Sequence, residues 1–268
     1  MTAALLPLPP GEGRGEGQAT HAGLRPALTP TLSRGEWAQV SYLTTRERLQ
    51  TYFDRTAAEA WSRLTSDAPV SGIRATVRAG RDRMRATLLS WLPDDLHGAR
   101  LLDAGCGTGA LAVEAARRGA DVTAIDLAGT LVDLARTRTP SDLAGSITYL
   151  AGDMVDPALG RFDHIVGMES LIHYHAPDMA RVVAGLAANA TGSVLFTFAP
   201  RTPLLSVMHA AGKLFPRGDR APFIQPMTHG AITRLLQADP ALSAWRAART
   251  ERIASGFYTS QALELVRA

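Results

Sequence analysis

Three glycines alternate with other residues in Asp103-Ala104-Gly105-Cys106-Gly107-Thr108-Gly109, directly after the apolar pair Leu101-Leu102. Glycines let a backbone turn sharply and approach a ligand that a Cβ would exclude. The spacing, D-x-G-x-G-x-G, differs from the dinucleotide fingerprint G-x-G-x-x-G, which cradles a pyrophosphate at a helix N-terminus. A carboxylate inside the loop repels a pyrophosphate and pairs with an ammonium, so the spacing selects a cationic, phosphate-free ligand over a bare structural turn. Farther along, Asp121-Val-Thr-Ala-Ile-Asp126 also closes an apolar run on an acid. Asp126 stands near the roughly 20-residue offset at which an acid bonds ribose hydroxyls. The other role open to it is capping a helix from Leu127 onward.

The glycine loop resembles the first motif of class I methyltransferases, whose donor, S-adenosylmethionine, has an ammonium on its amino-acid end and no phosphate. That resemblance implies that Asp103, Gly105, Cys106, Gly107 and Gly109 line the donor and that Asp126, with Leu127 beside it, takes the ribose. Asp153 and Met154 would reach the adenine amine and pack on its ring, whereas Asp156, before Pro157, reads as a turn residue. The run Phe162-Asp-His-Ile-Val-Gly167 then releases Met168-Glu-Ser-Leu-Ile-His173-Tyr174-His175 at a strand end, where ligands sit in open α/β sheets. Met168 is assigned to the donor. Methyl transfer is an in-line displacement, so the protein mainly aligns acceptor and methyl. A carboxylate acceptor is already ionised at neutral pH. His173 then orients the acceptor or removes a residual proton; packing is the alternative, and the favoured reading for His175. No spacing supplies four zinc ligands, and no metal is expected.

Apolar runs alternate with helical periodicity, which predicts an α/β fold with helices on both faces of the sheet. Strands are expected at about 99–104, 121–126, 146–150, 162–168 and 192–198, and helices at about 109–118, 128–138 and 178–189. Residues 240–268 read as two last strands, Trp245–Ala254 and Gly256–Val266, turning at Ser255-Gly256. The expected architecture is a Rossmann-like, mostly parallel seven-stranded sheet with an antiparallel C-terminal strand over residues 96–268. Residues 44–95 precede it as an arm of two helices, Thr44 to Pro69 and Ser71 to Pro93. Such an arm can fold over the C-terminal edge of the sheet, where Tyr52 would hydrogen-bond the donor or its target, while Phe53 and Trp61 read as packing. Arginines 74, 78, 81, 83 and 85 read as a solvated face, with contact of some of them to an anionic substrate as the alternative. Residues 1–43, with the run Pro7 to Gly17, are predicted to be disordered.

Composition narrows the classes further. At 268 residues and 46% hydrophobic content, one main domain is expected. The charge of +3 is small, and no arginine cluster is interleaved with aromatics, which argues against nucleic acid. Cys106 is the one cysteine, so no intrachain disulfide forms and a reducing, cytoplasmic setting fits. No apolar run approaches the roughly 18 residues of a bilayer span, so the protein should be soluble or peripheral.

Beyond the loop, the chain resembles the magnesium-protoporphyrin IX methyltransferases of bacteriochlorophyll and chlorophyll synthesis over about residues 45–268. The likeness rests on Tyr52-Phe-Asp-Arg-Thr-Ala-Ala-Glu-Ala-Trp61, Ser66-Asp-Ala-Pro-Val-Ser-Gly-Ile-Arg74, Leu171-Ile-His-Tyr174 and Leu214-Phe-Pro-Arg-Gly-Asp-Arg-Ala-Pro222. It implies esterification of a porphyrin propionate, with His173 and Tyr52 catalytic and with Tyr174, Phe215, Arg217 and Arg220 on the substrate. The segment 200–227 would be an insert over the site. Leu204, Leu205, Met208, Leu214, Phe215 and Phe223 could wall a flat macrocycle, and Arg217 and Arg220 could fork onto propionates. A solvated basic loop is the other reading of those arginines. The resemblance also implies magnesium chelatase as a partner and a peripheral contact with the photosynthetic membrane. Residues 1–40 have no counterpart in the family pattern, which places the true start in doubt. Two alternatives stand: methylation of another small aromatic or quinone acceptor, and a non-catalytic donor-binding partner of a pigment-assembly complex. The intact set Asp103, Asp126 and Asp153 speaks against the last.

Overall fold

A computed structural model describes residues 34–56, 72–201 and 224–268. The sheet is built from β1 (Arg100–Ala104), β2 (Asp121–Asp126), β3 (Ser146–Ala151), β4 (Phe162–Gly167), β5 (Ala190–Phe198), β6 (Trp245–Ser255) and β7 (Tyr258–Arg267). Their order is β3-β2-β1-β4-β5-β7-β6, with β1 to β5 parallel, β7 antiparallel to β5, and β6 antiparallel to β7. The helices are α1 (Arg34–Thr51), α2 (Gly72–Ser90), α3 (Ala110–Arg117), α4 (Gly129–Arg138), α5 (Ala176–Asn189) and α6 (His229–Ala238).

The central strands β1, β4 and β5 are largely apolar on both faces because both are covered, as expected for parallel strands between helical layers, while the edge strands β3 and β6 are mostly exposed. Successive residues alternate between two cores: Leu101, Val166 and Leu195 face α2 and α3, while Leu102, Ile165, Val194 and Phe196 face α5 and α6. This two-sided burial fixes the strand register and holds the loops after β1, β2, β3 and β4 along one edge.

Three expectations change. Helix α1 starts at Arg34, inside the stretch predicted to be disordered, and it ends at Thr51 in a π-helical turn, Tyr52–Thr56. The last hairpin turns at Gly256-Phe257 rather than Ser255-Gly256, because Gly256 supplies a φ of +57° there. Helix α6 was not anticipated; Thr228 caps it, its hydroxyl accepting from the Ala231 amide at 3.2 Å.

Candidate active site

The loops after β1 to β4 and the two arm helices enclose a cleft of about 470 Å³, within the roughly 300–1,000 Å³ of small-molecule sites. Its floor is the glycine loop. The amides of Gly105 and Cys106 donate to the Ile125 carbonyl at 2.8 and 3.0 Å, which ties the loop across to β2. Gly105 has a φ of +85°, and a Cβ there would lie 2.3 Å from the Ser170 Cβ. No other residue type lets the loop pass so close to the segment after β4.

Asp103 is 1% exposed at the base of this loop. Burial, then the nearby Asp126 charge, push its carboxyl up to about 7, with the Ala112 amide pulling the other way. Its Oδ2 has no hydrogen-bond partner among the described residues. An unmet acceptor on a buried acid lining a cleft fits an ammonium, so the residues present suit the amino-acid end of an S-adenosylmethionine-type donor. Asp126 is differently engaged. One oxygen accepts from the Gly107 amide at 2.8 Å and the other from the Ala128 amide at 2.9 Å. It therefore steadies the loop and the turn ahead of α4, but it is not that helix's cap, since α4 begins at Gly129 and its N-cap residue, Ala128, makes no side-chain cap hydrogen bond; its carboxylate lines the cleft. Burial raises its pKa.

The third acid is held by the arm. Tyr42 Oη donates to one oxygen of Asp153 and Arg46 Nη1 to the other, each at 2.7 Å. Tyr42 also stacks on Tyr174, with ring centroids 5.6 Å apart. Sequence reasoning missed Tyr42 and Arg46, although their four-residue spacing on one helix face was visible. Cys106, Leu127, Met154 and Met168 line the cleft. Burial pushes the Cys106 thiol far up, which removes it as a nucleophile.

On the acceptor side, His173 lines the cleft with its ring 6.0 Å from that of Phe53. Phe53, expected only to pack, is a wall residue. Tyr52, expected to reach the donor or target, does not line the cleft; its ring meets Phe53 edge-on at 5.1 Å. Adjacent positions on a helical turn point in different directions, and of this pair Phe53 is the one that faces the cleft. Tyr174 is buried beneath Tyr42, and His175 is exposed at the start of α5. Arg78, Arg81 and Arg85 line the cleft, which corrects their reading as a solvated face; Arg74 and Arg83 are exposed as expected. Phe215, Arg217 and Arg220, with Leu204, Leu205, Met208, Leu214 and Phe223, lie outside the described residues. The ends of their segment are pinned: the Gln225 amide donates to the Ile172 carbonyl at 2.8 Å, and Pro200 pairs with Met227. Among the described residues no cluster of three metal-ligating side chains occurs.

A family model described as magnesium-protoporphyrin IX methyltransferase C-terminus matches residues 167–267, and one described as methyltransferase domain matches 101–190. A magnesium-protoporphyrin O-methyltransferase of Rhodobacter capsulatus is 49% identical over 224 residues, 83% of this chain and 97% of that protein. The chain belongs to the magnesium-protoporphyrin O-methyltransferase family. A solved family structure, magnesium protoporphyrin IX methyltransferase from Synechocystis with bound SAH, superposes with a TM-score of 0.73 at 28% identity, covering 83% of this chain and 100% of that one. More distant is a ubiquinone biosynthesis O-methyltransferase of Xanthomonas oryzae, 33% identical over 69% of this chain and 79% of its own. The family assignment thus joins the donor cleft, common to class I methyltransferases, to the C-terminal region from β4 onward.

Proposed function

We propose that this chain transfers a methyl group from S-adenosylmethionine to a propionate carboxylate of magnesium protoporphyrin IX, giving the monomethyl ester and S-adenosylhomocysteine. The observation that carries the reading is the buried, unmet oxygen of Asp103, a residue lining the cleft, in a chain 49% identical to the Rhodobacter capsulatus enzyme.

When bound, the donor supplies a methyl group on a positively charged sulfur. Asp103 takes its ammonium, Asp126 its ribose, and Asp153 with Met154 its adenine. The acceptor carboxylate arrives ionised, so the chain needs alignment more than a strong base, and His173 is placed on the acceptor side to provide it. Phe53 and Tyr42 offer aromatic wall to a flat macrocycle. Gln225, which follows residues 202–223, lies beside Ile172, and we assign Phe215, Arg217 and Arg220 to the ring face and the propionates. Tyr52 acts through Phe53, as a positioning residue. A poorly soluble macrocycle favours direct handover from magnesium chelatase and a peripheral contact with the photosynthetic membrane; no helix among the described residues is long and apolar enough to cross a membrane.

The deciding experiment mixes the chain with methyl-labelled donor and magnesium protoporphyrin IX and separates the products. A labelled monomethyl ester is expected. No ester, with label instead on a quinone or phenol, overturns the reading.

A further inference from the structure

Helix α4 begins without a cap of its own, because Ala128 at its N-cap position has no side-chain acceptor. The first amides of a helix lack intrahelical partners, and here one of them is met from far along the chain. The Thr130 amide donates to Asp54 Oδ1 at 3.2 Å, and the Thr130 hydroxyl donates to the same oxygen at 3.0 Å. Asp54 stands 76 positions earlier, in the π-helical turn Tyr52–Thr56 that follows α1. Its carboxylate also meets the positive end of the α4 dipole. The arm thus supplies the cap that the local sequence omits.

The two ends of this clasp reach different parts of the reaction site. At one end, Asp54 directly follows Phe53, and adjacent side chains on a helical turn point apart. With the Asp54 carboxylate fixed on α4, outside the cleft lining, Phe53 turns inward, its ring 6.0 Å from that of His173. Single π-helical turns occur frequently at functional sites, and this one separates a clasping residue from a wall residue. At the other end, Thr130 lies two positions past Ala128, whose amide donates to Asp126 at 2.9 Å. The Asp54 charge is near enough to Asp126 to add to the rise in pKa that burial causes there. One carboxylate therefore bridges the acceptor wall and the loop assigned to the donor's ribose.

We propose that Asp54 is a positioning residue for methyl transfer: by capping α4 from the arm, it holds Phe53 beside His173 and fixes the acceptor wall to the donor side. It acts through Phe53 and does not itself line the cleft. Only the kinetic half of the test rests on the porphyrin reading. In the free full-length chain, the His173 ring-proton resonances report the Phe53 ring, because an aromatic ring displaces the signals of protons close to it. Asp54→Ala should move them in the direction that Phe53→Leu does, and Asp54→Asn, which keeps a capping oxygen, should leave them near their original positions. With magnesium protoporphyrin IX as acceptor, Asp54→Ala should lower kcat/KM for the porphyrin by roughly fivefold, the worth of a helix cap. S-adenosylhomocysteine affinity by calorimetry should hold, and Asp54→Asn should recover most of the loss. Thr130→Val, the milder variant should the alanine chain not fold, removes the hydroxyl bond alone and should move both readouts less in the same sense. Unmoved His173 resonances would overturn the assignment, as would equal loss of donor and porphyrin affinity, or an asparagine variant as impaired as the alanine one. Displaced resonances in a chain that forms no ester would support the clasp and refute the porphyrin reading instead.

Discussion

The hydroxyl of Tyr42 donates to the Asp153 carboxylate across 2.7 Å, while Arg46 holds the other oxygen of the same group. One acid of the sheet edge thereby serves as the anchor of α1. The Arg46 pair is partly exposed, 33% and 19% for its two side chains, so its share is modest; burial and the Asp153 bond together raise the Tyr42 pKa well above the ordinary phenol value. Asp153→Ala removes the acceptor for both. The amides of α1 should then exchange with solvent roughly tenfold faster or more, by the worth of hydrogen bonds to a charged group, while those of β1 and β4 stay protected. Unaltered exchange in α1 would mean that its anchor lies elsewhere.

Gly105→Ala should close the floor of the cleft. Its φ of +85° and the 2.3 Å approach to Ser170 both exclude a Cβ. A cost of about 1–3 kcal/mol is expected from such strain, seen as a lower Tm, with a loss of donor affinity larger than that stability change accounts for.

Asp103 gives opposite pH dependences to stability and to binding. Its folded-state pKa of about 7 lies above the ordinary carboxylate value, so the folded chain holds this proton more tightly than the unfolded one. The stability from this group is complete in acid, below the ordinary carboxylate range, and is lost as pH rises through about 7. The donor's ammonium needs the ionised form, so affinity should rise over the same interval. Asp103→Asn should flatten both slopes, weaken the donor by about tenfold or more, and leave Tm equal or higher. Calorimetry and melting curves across that pH range check all three.

Asp126→Ala should also weaken the donor by more than about tenfold, and here Tm should fall as well, because the Gly107 and Ala128 amides lose their acceptor. Undiminished donor affinity by calorimetry would refute the ribose assignment.

For the acceptor side, His173→Ala should lower turnover while donor affinity is retained. Tyr52→Phe keeps the ring that meets Phe53 and should change turnover less than Phe53→Ala does. Steady-state kinetics with the porphyrin acceptor rank the three; a Tyr52→Phe loss equal to that of His173→Ala would return Tyr52 to direct contact with the reactants.

Strands β1 to β4 were legible within a residue or so, because each is a short apolar run closed by an acid or glycine. The glycine loop and its acids were legible for the same reason: their chemistry is local. What failed was local identity without local consequence. Helix α1 touches the core mainly through Tyr42 and Leu49, seven residues apart, too sparse a stripe to announce a helix beginning at Arg34. Arginines 78, 81 and 85 look the same in sequence whether they face water or a cleft; Glu169, eighty-odd residues farther on, decides it by pairing with Arg81. Tyr52 and Phe53 are neighbours whose inward and outward roles depend on a π-helical turn that no propensity marks. Helix α6 was readable from Thr228, Ile232 and Leu236, but residues 228–239 carried no assignment between the Pro-rich, basic run and the last two strands.

The pairing of Pro200 with Met227, reinforced by the Arg201 amide on the Met227 carbonyl at 2.9 Å, makes a narrow neck at the base of the 202–223 segment. Because this bridge already holds the two ends together, doubling the length between them costs only about 0.6 kcal/mol in chain entropy. Insertions and replacements there are thermodynamically quiet, while the same changes in the glycine loop are not. With the proposed assignment of Phe215, Arg217 and Arg220 to the acceptor, selection can therefore remodel what is accepted without renegotiating how the donor is held, and divergence among relatives should concentrate beyond that neck.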